Sequence, residues 1–256
     1  MELPVVIPSH KRAGRVTTHR TVTGALVCVP ESQRDDYAKH HPANTLLLHP
    51  DSVKGISAKR QWIYEKFPEV FMLDDDVIAC QRIWRPAGRK GIAATLRPEE
   101  VRDLIEVTAA TARELGARLF GFNSHCAPMT YNGWRPFRFG GYTPGGAFGL
   151  LRSDKLYFPN TTLPVEDWWI CLLNAYHHRF AWFDCRFAFG FKDTYTGVGG
   201  CAELRVDDGE KKAFDYLKRH FGAAVQRKTA NANRNRQTTK RERNTAPRTM
   251  VIPWPH

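Results

Sequence analysis

The 256-residue chain carries a net charge of +12, yet residues 68–80, PEVFMLDDDVIAC, end an apolar run in three consecutive acids, Asp74, Asp75 and Asp76. Adjacent carboxylates repel one another, and at the mouth of a buried strand they are also partly desolvated. Such a cluster is either a solvated turn or a holder of something cationic, a metal ion or basic side chains. Magnesium and manganese take oxygen ligands, commonly one or two protein carboxylates together with substrate phosphates. Two acids one residue apart, Asp74 and Asp76, can direct one carboxylate to a metal and the other to the metal or to sugar hydroxyls. Basic residues stand upstream, Lys11, Arg12 and Arg15 in one loop and Lys59 and Arg60 in the segment before the triplet. Carboxylates, metal and basic groups around one crevice describe a nucleotide-diphosphate site.

A second acidic pair, Glu166 and Asp167, lies in PVEDWW (164–169). Acids in the first turn of a helix are favoured by the helix dipole alone; the alternative is a carboxylate that takes a proton from a reacting hydroxyl. GGAFG (145–149) is either an ordinary turn or, through Gly145 and Gly146, a place where backbone passes close to a ligand. Trp134, Phe137, Phe139 and Tyr142 interleave with Arg135 and Arg138. That stretch is either a loop packed on the core or a surface for nucleic-acid backbone and base stacking. His125, His177 and His178 have no spacing partner that implies a metal, and read as structural.

The elements that must position these groups alternate. LPVVIPS (3–9), ALVCVPE (25–31), TLLLHP (45–50) and VFMLDDD (70–76) read as strands. Between them, HKRAGRVTTHRTV, SQRDDYAKHH with Ser32 as its cap, and SVKGISAKRQWIYEKF, starting near Ile56, read as helices. The pattern predicts an α/β fold, a mostly parallel sheet flanked by helices. Ligands in such sheets bind at the carboxyl ends of strands, where Ser9, Glu31, His49 and the triplet fall. The second half is less regular: a helix over 97–117, with Pro98 in its first turn and Gly116 near its end, a strand at RLFGFNS, a glycine-rich turn leading into another strand, and a helix at LPVEDWWICLLNAYHH.

Composition bounds the rest. Hydrophobic content of 42% and aromatic content of 12% are those of a globular protein. No apolar run approaches the ~20 residues of a membrane span, no signal peptide is visible, and six scattered cysteines without a CxxC pair suit reduced thiols. These features predict a cytoplasmic protein with no membrane partner. Residues 226–249 hold eight Lys or Arg against Glu242, so that segment carries +7 of the net charge. Poor in apolar residues, it reads as a flexible tail, either merely solvated or a phosphate-binding arm through Arg234, Arg236, Lys240 and Arg241. The apolar residues 250–256 follow it.

PVVIPSHKRAGR, GISAKRQWIYE, FMLDDDV, GGAFGLL and VEDWW, in that order, resemble glycosyltransferases of the GT-A fold. More narrowly the set resembles the bacteriophage TET/JBP-associated glycosyltransferases, which are thought to add a sugar to hydroxymethylated pyrimidines in DNA. The resemblance spans about residues 3 to 200. It implies one GT-A-like domain over 1–225, with a nucleotide-sugar half (1–80) and an acceptor half (81–225). Pro8, Ser9, Arg12 and Arg15 would line the base and ribose pocket, and Lys59 or Arg60 would contact base, ribose or phosphate. Asp74, with Asp75 beside it, would face ribose or donor sugar, and Asp76 would ligate a divalent metal, manganese or magnesium, bridging the phosphates of a UDP-sugar. Asp167, or next to it Glu166, would be the catalytic base of an inverting transfer, with Gly145 and Gly146 beside the donor sugar. Many GT-A enzymes add a late metal ligand, often His. GFKDTYTGVGG (190–200) has none, so Asp193 or water would complete the site.

Two other classes compete with a sugar transfer to DNA. FMLDDDVI also resembles the acidic strand end of haloacid-dehalogenase phosphatases, although there the motif normally sits on the first strand. A non-catalytic DNA-binding protein would need only the basic segment.

Overall fold

A computed structural model of the chain describes residues 2–84, 94–143, 145–192, 209–227 and 248–250. Four strands come first: β1 (Val5–Pro8), β2 (Leu26–Pro30), β3 (Leu46–His49) and β4 (Val70–Leu73). They pair in parallel in the order β3-β2-β1-β4, with Val6 opposite Leu26 and Met72. The strand runs of the sequence thus form one continuous parallel block. It is joined by β5 (Val77–Arg82), β6 (Ala94–Thr95), β7 (Leu119–Asn123), β8 (Phe137–Arg138), β9 (Ala147–Leu150) and β10 (Trp182–Phe191). The ten-stranded sheet continues from β4 as β9-β7-β10-β5-β6, with β8 also on β10. In this second half β9 is antiparallel to both β4 and β7, and β10 is parallel to β7 but antiparallel to β5. The predicted mostly parallel α/β sheet with an irregular second half is the architecture observed.

Helices cover both faces: α1 (Arg34–Ala38) and α3 (Pro98–Glu114) on one, α2 (Ile56–Lys66), α4 (Glu166–His177) and α5 (Gly209–Phe221) on the other. Strand alternation divides the core accordingly. Val5 and Ile7 pack with Val101 and Ile105 of α3, whereas Val6 packs with Ile63 of α2 and Ile170 of α4. Helix α2 is unusual in what it buries, since Lys59 and Arg60 lie inside beside Ile63 and Tyr64. It begins at Gly55, whose φ of +86° is strained for any side chain-bearing residue.

The structure corrects two of the expected helices. Residues 10–22 form only two short 3-10 turns, Ala13–Arg15 and Thr18–Arg20. The reason lies in the threonines, whose hydroxyls bond distant backbone: Thr17 donates to the Val77 carbonyl and Thr18 to that of Asp74. Such side-chain bonds compete with helix formation. Ser32 likewise caps nothing. It sits within a 3-10 turn and donates to Asp51, and α1 runs for five residues only. Strands β5 and β10 and helix α5 were not anticipated.

The basic segment has a structural base. β11 (Val225–Arg227) pairs antiparallel with β12 (Arg248–Met250), setting Arg227 opposite Arg248. Residues 226, 227, 248 and 249 of that segment thus lie in a strand pair. Arg234, Arg236, Lys240 and Arg241, with Asp193, lie outside the described residues. Among the described residues no helix is long and apolar enough to cross a membrane.

Candidate active site

The acidic turn follows β4, and its three carboxylates diverge. Asp75 points back into the protein, only 7% exposed. Ser9, just past β1, donates its hydroxyl to Asp75 Oδ2 at 2.6 Å, and Arg12 Nη1 donates to Oδ1 at 2.7 Å. Tyr37 of α1 completes the network: its phenol meets Ser9 Oγ at 2.7 Å and accepts the Arg12 N–H at 3.0 Å. Burial disfavours the charge on Arg12, but Asp75 more than offsets this and raises its pKa, with Asp76 and Asp74 adding. Asp75, Ser9 and Arg12 thus latch the first loop to the acidic turn. Pro8 is buried in β1, and Arg15 is exposed at the outer side of the loop.

Asp74 faces the other way. Arg60, reaching across from α2, donates to its Oδ1 at 2.8 Å and to the Gly145 carbonyl at 2.6 Å. Lys59, its neighbour, is turned under the first loop and donates to the Ser9 carbonyl. Burial lowers the Lys59 ammonium to about 8, against the opposing pull of Cys28 and Asp75. Burial also raises Asp74, to about 7; Arg60 opposes the shift, while Asp76, Asp75 and Glu166 reinforce it. Solvent still reaches 41% of the Asp74 side chain, so water moderates that penalty at the crevice floor. The upward direction follows from burial first, with the neighbouring acids adding to it.

The glycine turn closes the second side. Because β9 is antiparallel to β4 with Ala147 opposite Leu73, residues 145 and 146 lie beside the acids. The Asp74 N–H donates to the Gly146 carbonyl at 2.8 Å. A Cβ on Gly146 would sit 2.3 Å from the Phe191 ring and 3.2 Å from Asp74 Oδ2; one on Gly145 would sit 2.8 Å from Cβ of Asp167. Both positions need glycine for close approach. Asp167, in the first turn of α4, receives the hydroxyl of Tyr142 on Oδ2 and the Trp168 N–H on Oδ1 at 2.7 Å. Glu166 is buried beside it, 8% exposed.

The structure therefore brings Asp74, Arg60, Gly145, Gly146, Asp167 and Glu166 together at the carboxyl end of the parallel block. Asp76 adjoins them, its carbonyl held by the Lys192 N–H at 3.0 Å. Crowded carboxylate oxygens are the hard donor set suited to a magnesium or manganese ion, and their repulsion at Asp74 is what such a cation would relieve. Among the described residues no three His, Cys, Asp or Glu are grouped to hold a metal. A cation here would depend on Asp74, Asp76 and phosphate oxygens. Two clefts, of about 380 Å³ between α4 and α5 and about 580 Å³ along α3 and β10, include none of these residues.

The aromatic-basic stretch divides. Trp134 is 95% exposed, and Arg135 is exposed beside it. Arg138 turns inward, its guanidinium 4.5 Å from the Phe183 ring centroid and bonded to the Tyr142 carbonyl at 2.8 Å. Phe137 stacks on Trp182 and Phe139 on Phe180. Tyr142, grouped with this stretch by sequence, belongs to the crevice instead. Only its spacing before the GG pair could have hinted at that. Thr17, Thr18 and Tyr37, which position the acidic turn, gave no signal.

Acids, a buried arginine and a glycine turn thus gather at the strand ends of the sheet, where ligands of α/β folds bind. The chain belongs to the TET-associated glycosyltransferase family, whose model matches residues 3–200. That membership favours sugar transfer over the phosphatase and non-catalytic readings. Among solved structures, the crystal structure of Staphylococcus aureus TarS residues 1–349 is similar at 11% identity, with a TM-score of 0.48, covering 85% of this chain and 66% of that one. No curated protein matches the chain.

Proposed function

We propose that the protein transfers a sugar, glucose for preference, from a UDP-sugar to the hydroxyl of a 5-hydroxymethylpyrimidine in DNA, with inversion. The observation that carries this reading is Arg60 bonded to both Asp74 and the Gly145 carbonyl, which ties the acidic turn to the glycine turn beside Asp167. A donor would lie between them, its nucleotide over the first loop and its sugar against Gly145 and Gly146. Asp74 and Asp76 would hold a divalent cation, which when bound supplies positive charge against the departing diphosphate. Asp167 takes the proton of the acceptor hydroxyl. The acceptor oxygen bonds to the anomeric carbon as the bond from that carbon to the phosphate oxygen breaks, and UDP leaves with the electron pair.

The family's association with TET enzymes supports a hydroxymethylated pyrimidine as acceptor. The net charge of +12 supports a polyanionic partner, with Arg135 and the basic segment as its contacts and Arg138 acting from behind Tyr142. Rings of Tyr142 and Trp168, 5.0 Å apart beside Asp167, offer aromatic surface for a planar base taken out of its stack. The test is incubation with several UDP-sugars and DNA bearing hydroxymethylcytosine or hydroxymethyluracil, followed by digestion and mass analysis of nucleosides. A hexose mass on one modified nucleoside is expected. Transfer only to free sugars or protein would remove the DNA acceptor.

A further inference from the structure

We propose that Tyr142 is the positioning residue for the Asp167 carboxylate, keeping it aimed at the acceptor hydroxyl; this rests on the reading of Asp167 as the base. The carboxylate is held from three directions. The Tyr142 hydroxyl donates to Oδ2, and the Trp168 N–H donates to Oδ1 at 2.7 Å. Gly145 abuts the third side, so closely that a Cβ there would lie 2.8 Å from Cβ of Asp167. Each oxygen keeps a lone pair for the incoming proton.

Tyr142 is itself fixed. Arg138 bonds its carbonyl at 2.8 Å, its ring packs against Trp168, and the next residue, Thr143, donates its N–H to Cys171 Sγ at 3.4 Å, one turn along α4. The loop and the helix that carry the two partners are therefore tied at both ends of the contact. Cys171 on the same helix and Arg138 behind Tyr142 flank this contact. Removing the hydroxyl should leave the Asp167 carboxylate free to turn away from Gly145.

The test compares Tyr142→Phe, Asp167→Asn and the double variant, with kcat and donor KM measured for each. Tyr142→Phe should lower kcat about tenfold and leave the donor KM within about twofold. The double variant should be no slower than Asp167→Asn alone, because Tyr142 acts only through that carboxylate. As a second probe, 3-fluorotyrosine at 142 keeps both the ring and the donor hydroxyl, so kcat should stay within about twofold of the parent. An unchanged kcat in Tyr142→Phe, a loss in 3-fluorotyrosine as large as in Tyr142→Phe, or a double variant slower than Asp167→Asn, overturns the role of Tyr142. Full activity in Asp167→Asn instead overturns the base, whatever Tyr142 does.

Discussion

The guanidinium of Arg60 lies 2.8 Å from the carboxylate of Asp74, and the two side chains meet water very differently, 2% and 41% exposed. One partner belongs to the core and the other to the crevice. Their pairing therefore joins helix α2 to the reacting end of the sheet.

Removing the open partner should cost more than removing the buried one. Asp74→Asn takes a carboxylate charge away from a guanidinium only 2% exposed, and a loss of about 2–4 kcal/mol is expected. Arg60→Met removes that buried charge, leaves Asp74 where solvent reaches it and strips the Gly145 carbonyl of its donor, for a loss of about 1–2 kcal/mol. Chemical denaturation of both variants measures the order.

Asp76→Asn keeps size and removes a charge proposed to hold the cation. Turnover and metal-dependent UDP binding should both collapse while the circular dichroism spectrum is unchanged. Full activity in metal-free buffer would remove the proposed role.

The glycine turn gives a geometric test. Gly145→Ala forces the Asp167 side chain away by some fraction of an ångström, and misplacements of that scale cost up to about 100-fold in rate. We expect kcat to fall about 10–100-fold with donor affinity much less affected. Equilibrium binding of UDP beside steady-state kinetics separates the two.

Lys59 makes stability depend on pH. Its folded value of about 8 lies below its ordinary 10.5, so between those limits the unfolded chain binds a proton that the folded one does not. Stability should rise with pH between about 8 and 10.5, and at pH 7 the buried charge costs on the order of 3 kcal/mol. Lys59→Met should raise the denaturation midpoint at pH 7 and flatten the rise between pH 8 and 9.5. The difference between variant and parent isolates this lysine from the tyrosines that titrate above that window.

For the basic segment, replacing Arg234, Arg236, Lys240 and Arg241 with Ser should weaken DNA binding and flatten its salt dependence. Each phosphate left without its basic partner changes the slope of log affinity against log salt by ~0.9 on duplex DNA. An identical slope would mean that these charges do not engage DNA.

Much of the frame was legible because it rests on local pattern. Apolar runs ending in Pro-Ser, Pro-Glu and Asp-Asp-Asp became β1, β2 and β4, and Ile56 did begin α2. Glu166 and Asp167 did open a helix. What failed was decided by partners distant in sequence. Thr17 and Thr18 left helix formation for carbonyls some 60 residues away. Asp75 looked like its two neighbours until Ser9 and Arg12 turned it inward. Tyr142 read as part of a surface stretch, and its bond to Asp167 spans 25 residues. A one-dimensional pattern carries no information about such pairings.

The cations of α2 also bear on how the chain folds. Lys59 and Arg60 lose water when the helix docks, and their replacements are the Ser9 and Gly145 carbonyls and Asp74, supplied by three separate loops. Docking before those loops are placed would bury two positive charges with nothing to receive them. Helix α2 should therefore join late, after the parallel strands and β9 have assembled, and substitutions on its inner face should speed unfolding far more than they slow folding. Low φ-values at Ile63 and Tyr64, set against higher ones at Val6 and Phe71, would mark that order.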